Sequence, residues 1–159
     1  MLTGIPASEK ELNQAFFSPG FDCQQAIISA LSNAQKSINI CVFTISDNFI
    51  TEAILQAHQR NVHIKLLTDD DKLLDLGSDI RQLAQEGVEI RTDNSPYHML
   101  HKFAIIDNEL LITGSYNWTR SAALYNHENI IQTTNKILLN KFLQQFETLW
   151  ASMNALVVD

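Results

Sequence analysis

"SINICVFTISDNFITEAILQAHQRNVHIKLLT", residues 37–68, decides the fold because it sets two apolar runs on either side of a helix-length polar and apolar mixture. "SINICVFTI" (37–45) reads as a buried strand, and "VHIKLLT" (62–68) as the next one. Between them Ser46 or Asp47 can cap "NFITEAILQAHQR" (48–60) as a helix. Strands separated by a helix of that length call for a largely parallel sheet covered on both faces.

Upstream, "QAFFSP" (14–19) can form a short first strand closed by Pro19-Gly20. Asp22 can then cap a helix whose Ala26, Ile27, Ala30, Leu31 and Ala34 recur at helical spacing. Downstream, Ser78 starts "DIRQLAQE", which Gly87 stops as helices often stop. "VEIRT" (88–92), "HKFAIID" (101–107), "ELLITG" (109–114) and "HENIIQTT" (127–134) supply further strands, with "DNEL" (107–110) as a hairpin turn. "KILLNKFLQQFETLWASM" (136–153) closes the pattern as an amphipathic helix. No proline-rich linker, repeat or low-complexity segment interrupts it. The expectation is one α/β domain over residues 1–159, a mixed, mostly parallel sheet flanked by helices on both faces.

With 159 residues, 45% of them hydrophobic and 18% charged, the composition is that of an ordinary globular domain, one long enough to bury about 70% of its unfolded surface. The start, "MLTGIPASEKELNQ", carries no basic leader, and no stretch approaches the roughly 20 apolar residues of a bilayer span. A soluble, cytoplasmic protein is the expectation. Cys23 and Cys41 lie inside apolar patterns without C-x-x-C spacing, so buried free thiols are expected rather than a disulfide or zinc site. A net charge of −7 argues against broad electrostatic binding of nucleic acid and requires any phosphate affinity to be local.

Such a local site is outlined by "HMLHKFAIIDNELLITGSYNWT" (98–119). Alternate residues of a strand face one side, so position 100 and Lys102 share a face and Asp107 falls on the other. The hairpin returns Gly114, Ser115 and Asn117 beside them. An ammonium would neutralise non-bridging phosphate oxygens while a hydroxyl, a side-chain amide and turn amides donate to the rest. A histidine at position 100 could attack phosphorus covalently, but Leu100 stands there. His101 has the wrong parity to replace it, and His98 lies one pleat repeat upstream, roughly 6.5 to 7 Å away. Three consecutive carboxylates, Asp69, Asp70 and Asp71, fit a solvated loop after a strand better than a metal site.

Lys102, Asp107, Gly114, Ser115 and Asn117, followed by "HEN" (127–129), resemble the phospholipase D superfamily signature H-x-K-x4-D-x6-G-S-x-N. Only its first histidine differs, at Leu100. The likeness is to the small single-motif members, the Nuc-type endonucleases and the mitochondrial cardiolipin hydrolase or Zucchini nucleases. It extends through "FFSPG", "VFTISD", "TDDDK" and "GSDI" over nearly the whole chain. The resemblance implies a phosphodiesterase, most simply a nuclease acting on DNA or RNA through a phosphohistidine, with Lys102, Ser115 and Asn117 on the phosphate. It counts Asp107 in the motif, although parity makes that residue a structural carboxylate, and it makes Glu128 the carboxylate that orients the nucleophile. A cardiolipin-type phospholipid hydrolase and a non-catalytic phosphate-binding module are the alternatives; the hydrolase should show an apolar membrane-facing rim, which the sequence does not reveal. The resemblance further implies no metal or other cofactor, since the zinc module of some Zucchini proteins has no counterpart in this sequence. It also implies a homodimer that joins two half-sites, because catalysis in the superfamily needs a second histidine as acid and base. With Leu100 in place the chain is expected to be catalytically impaired.

Overall fold

The computed structural model describes residues 10–73 and 75–158. The stretch 37–68 folds as β2 (Ser37–Val42), α2 (Asn48–Gln59) and β3 (His63–Thr68), with β2 and β3 parallel. Strand alternation sorts the β2 side chains: Ile38, Ile40 and Val42 join the larger core, while Cys41 faces the smaller one. Asp47 caps α2 as expected, its carboxylate accepting from the Phe49 and Ile50 amides. Its other oxygen accepts from Gln24 Nε2 at 2.7 Å and so ties α2 to the preceding helix.

That preceding helix, α1 (Asp22–Asn33), starts one residue earlier than expected: Phe21 is its N-cap and Asp22 sits in the first turn without a capping hydrogen bond. There its charge still favours the helix dipole. Before it runs β1 (Asn13–Ser18). After β3 come α3 (Ile80–Gln85), β4 (Glu89–Thr92), β5 (Lys102–Ile106), β6 (Leu110–Gly114), α4 (Arg120–Leu124), β7 (Glu128–Thr133), α5 (Lys136–Ser152) and β8 (Asn154–Ala155). Gly87, at φ 99°, takes the left-handed conformation that ends α3.

All eight strands lie in one sheet in the order β1-β7-β6-β5-β2-β3-β4-β8. The sheet is mixed, as expected, but its parallel part is confined to β2–β3 and β3–β4. β5 and β6 are joined by a hairpin-length turn and pair antiparallel, β6 returns to β7 through the connection that carries α4 and again pairs antiparallel, and β1 closes the edge antiparallel to β7. Helices cover both faces. Residues of α1 to α4 pack with Ile38, Ile40, Ala104, Ile106 and Ile112 on one side, while Leu139, Phe146 and Trp150 of α5 pack with Phe103, Ile105 and Leu111 on the other. Both cysteines are free and buried; burial above all, then the Asp22 and Glu128 charges, pushes the Cys23 thiol up to about 11.

Asp107 belongs to this framework. It and Asn108 adopt positive φ in the β5–β6 turn, and the Asp107 carboxylate accepts from the backbone amides of Gln35, Lys36 and Ser37 at 2.6 to 3.1 Å. It stands five residues along the strand from Lys102, roughly 17 Å away, and cannot touch a ligand there. Its place in the motif is therefore structural. Burial alone would raise its pKa, but the three amides outweigh burial and hold it below the usual carboxylate range. A depressed folded pKa contributes stability above the unfolded value, and that stability is lost as pH falls through the folded value. Asp107→Ala is accordingly expected to cost about 2 to 4 kcal/mol in urea unfolding at neutral pH, with the deficit shrinking in acid. A deficit independent of pH would contradict this role.

Candidate active site

Lys102 opens β5, Ser115 and Asn117 follow β6, and Glu128 opens β7, so antiparallel pairing brings all four to one end of the sheet. The C-terminal ends of β1, β2 and β3 reach the same end, where Ser18 pairs with Glu128 and Val42 with Lys102. Gly114 is required at the junction. A Cβ there would collide with the Asn129 carbonyl oxygen and the Ile130 Cα, because β7 crosses directly against it.

Beyond Gly114 the chain is held by β7. The Ser115 amide donates to Asn129 O at 3.0 Å, and Ser115 Oγ accepts from the Asn129 amide at 3.1 Å, leaving the exposed hydroxyl proton free for a ligand. Asn117 Oδ1 is buried with no hydrogen-bond partner among the described residues. Under the turn, burial foremost, then the charges of Asp47, Cys23 and Glu128, raises the Tyr116 hydroxyl pKa well above its ordinary value. Glu128 thus stands close to the buried layer that carries the Ser115–Asn117 turn.

Lys102 Nζ donates to the Leu100 carbonyl at 2.9 Å, which keeps one ammonium proton occupied and two available. It also lies 5.8 Å from the Phe43 ring centroid. Leu100 itself is 55% exposed, an apolar side chain held in solvent where the strand begins. It lines a groove of about 810 Å³ together with Tyr97, His98, His101 and the end of α5. That volume suits a small organic ligand.

The neighbouring histidines both precede β5. His101 packs edge-on against Phe103, 5.5 Å between centroids, on the α5 side of the sheet. Burial against that ring, and then the Lys102 charge, lowers its pKa. His98 Nδ1 lies 3.4 Å from Asp69 Oδ2 and 3.5 Å from Asp71 Oδ2. The expectation that Asp69 to Asp71 form a solvated run needs correction at Asp69, which is fully buried. Its carboxylate accepts from the Met99 amide at 2.7 Å and the Asp71 amide at 3.0 Å, fastening the segment before β5 to the end of β3. Asp69, Asp71 and His98 are close enough to hold a cation, yet each Asp69 oxygen already has an amide donor.

The sequence reading passed over Phe43 and Lys72. Phe43 follows β2, where its amide donates to His101 O at 2.9 Å and its carbonyl accepts from Thr68 Oγ1 at 3.1 Å. Lys72 Nζ lies 5.0 Å from the Phe43 ring centroid and 2.9 Å from Asp75 Oδ2. The "TDDDK" run carried the only sequence signal for that lysine.

Residues 27–150 match the family model described as "Cardiolipin synthase, PLD-like domain". The chain belongs to the phospholipase D superfamily. Among relatives of this phospholipase D-like chain is the mitochondrial cardiolipin hydrolase of Chlamydomonas reinhardtii, 42% identical over 76% of the chain and 54% of the relative. A phospholipase D from Rickettsia typhi is 32% identical over 89% of the chain and 70% of its own length. Among solved structures, the phospholipase D family member Nuc from Salmonella typhimurium superposes with a TM-score of 0.85 at 27% identity, covering 94% of this chain and all of that one. The chain thus spans about half the length of the mitochondrial cardiolipin hydrolases it matches. A phospholipase D-like fold follows from this membership. The expected cytoplasmic setting does not stand, since the relative at 42% identity is named a mitochondrial protein. No helix among the described residues is long and apolar enough to cross a membrane.

Proposed function

We propose that the sheet-end site binds a phosphodiester through Lys102, Ser115 and Asn117, and that its histidine-bearing form cleaves a cardiolipin-type phospholipid. With Leu100 the chain binds without appreciable turnover. The observation that carries this reading is the convergence of Lys102, the Ser115–Asn117 turn and Glu128 at one end of the sheet, with every position of the signature present except the nucleophile. In the active form imidazole attacks phosphorus, the P–O bond to the leaving alcohol breaks, and a second histidine protonates that alcohol before activating water. A second copy of the chain supplies the second histidine and a second Lys102, which makes the functional unit a homodimer.

A lipid substrate is favoured over nucleic acid by two observations. A relative at 42% identity is named mitochondrial cardiolipin hydrolase, which also makes a mitochondrial setting part of this reading. In addition, Phe17, Phe21, Phe49 and Tyr125 are exposed where β1 ends, where α1 and α2 begin and just before β7, at the same end of the sheet as Lys102. The sequence expectation of no apolar rim missed them because they are scattered singly along the chain. The nuclease reading remains a second one, supported by the likeness to Nuc.

The test is co-sedimentation of this chain with cardiolipin vesicles, phosphatidylcholine vesicles and a single-stranded oligonucleotide, at low and high salt. Cardiolipin is expected to bind most tightly, salt-sensitively, with a loss of about tenfold or more in Lys102→Ala. Tighter binding to the oligonucleotide would favour the nuclease, and binding indifferent to Lys102→Ala would remove the site altogether. Sedimentation velocity on the same samples should give about twice the 18.0 kDa chain mass, and a strict monomer would contradict the shared site.

A further inference from the structure

Lys72 and Lys102 reach the site from different elements and share one aromatic ring. Lys72 ends the 3-10 turn Asp70–Lys72 after β3, whereas Lys102 opens β5. Their ammonium groups lie 5.0 and 5.8 Å from the Phe43 centroid, so they stand no more than about 11 Å apart. Phe43 cannot shift easily, because its amide and carbonyl are tied to His101 and Thr68 and the His98 ring meets it edge-on at 5.8 Å. In a chain of net charge −7, two cations stand on one ring, with the Asp75 carboxylate on Lys72 and those of Asp69 and Asp71 beyond His98. Neither is used up. Lys102 spends one donor on the Leu100 carbonyl and Lys72 one on Asp75, a half-exposed partner that solvent can replace.

On the proposed function one phosphodiester would occupy Lys102, and a second cation at this distance is more than one phosphate needs. We infer that Lys72 holds a second phosphate of the same ligand, so that the site selects molecules carrying two phosphodiesters joined by a short polyol bridge. The inference rests on the phosphodiester reading above and deepens it. Two phosphates on an O–C–C–C–O bridge fall well within the reach of the two ammonium groups, and the Phe43 ring that both ammonium groups approach offers the carbon bridge an apolar surface. A lipid with a single phosphate would engage Lys102 alone. Lys72 would then act as a specificity-determining residue that positions the second phosphate and takes no part in bond breaking.

The experiment is calorimetric titration at low salt with two soluble short-chain probes, a glycerol-bridged bis-phosphodiester lipid and the matched lipid with one phosphodiester. Lys72→Gln is expected to weaken the two-phosphate probe about tenfold and leave the one-phosphate probe within twofold, whereas Lys102→Ala weakens both. Asp75→Asn, which frees Lys72, should strengthen the two-phosphate probe alone. Equal effects of Lys72→Gln on both probes, or on neither, overturn the inference while a Lys102 effect keeps the phosphodiester site intact. If Lys102→Ala changes neither probe, the site reading itself fails. A trinucleotide with two phosphodiesters that responds to Lys72→Gln when the lipid does not overturns the lipid assignment.

Discussion

Leu100→His is expected to raise phosphodiester hydrolysis by about 10³-fold or more over the parent chain. The parent retains groups that stabilise charge, since the Lys102 ammonium and the Ser115 hydroxyl keep donors for a phosphate. On the function proposed above, Leu100 removes the nucleophile of the signature, since an exposed leucine neither attacks phosphorus nor orients water. Leu100 is exposed just before β5 and lines the groove, so an imidazole fits there without displacing a core residue. Because the electrophile is activated by Lys102 and the nucleophile is a side chain, chelators should leave the restored rate unchanged. Rapid turnover by the parent would mean that His98 or His101 acts, against their observed packing on the Asp69–Asp71 carboxylates and on Phe103. An inert but folded Leu100→His dimer would favour the binding-module reading.

Gly114→Ala is expected to damage both fold and site. The added methyl would run into the backbone of Asn129 and Ile130, not into a flexible side chain that can swing away. β7 would have to leave β6, taking with it the two hydrogen bonds between Ser115 and Asn129. A loss of about 3 to 5 kcal/mol, a fall of ~10 °C in melting temperature and loss of phosphodiester binding are expected together. Normal melting and binding in Gly114→Ala would show that the β6–β7 crossing is looser than described.

The βαβ centre of the fold was legible because its periodicities are local. Asp47 announced the start of α2, and the amphipathic run 136–152 announced α5. The sheet order was less so: β1 lies at the edge beside β7, over a hundred residues away, and no local pattern encodes that pairing. Short elements also escaped, since the five residues of α4 and the two of β8 are too few to show a period. At the site, the spacing of Lys102, Ser115 and Asn117 could be read directly, while the Asp107 carboxylate turns out to hold the Gln35 to Ser37 amides and His101 to pack on Phe103. What sequence could not show was through-space arrangement. Asp69 looked like one of three solvated carboxylates until the 98–101 segment was seen to fold over it, and Phe43 with Lys72 acquires meaning only beside Lys102. The mitochondrial setting that the relatives' names give has no counterpart in the local patterns of this sequence.

The most direct test of the claim that this site lacks only its nucleophile is to trap the intermediate. Leu100→His would be mixed with a short-chain diester lipid, denatured under alkaline conditions that preserve phosphohistidine, digested and read by mass spectrometry. The expected result is a phosphoryl adduct, still carrying one ester, on residue 100 and nowhere else, with none in the parent chain and less in Leu100→His combined with Lys102→Ala. An adduct on His98 or His101, or turnover without any adduct, would contradict the account.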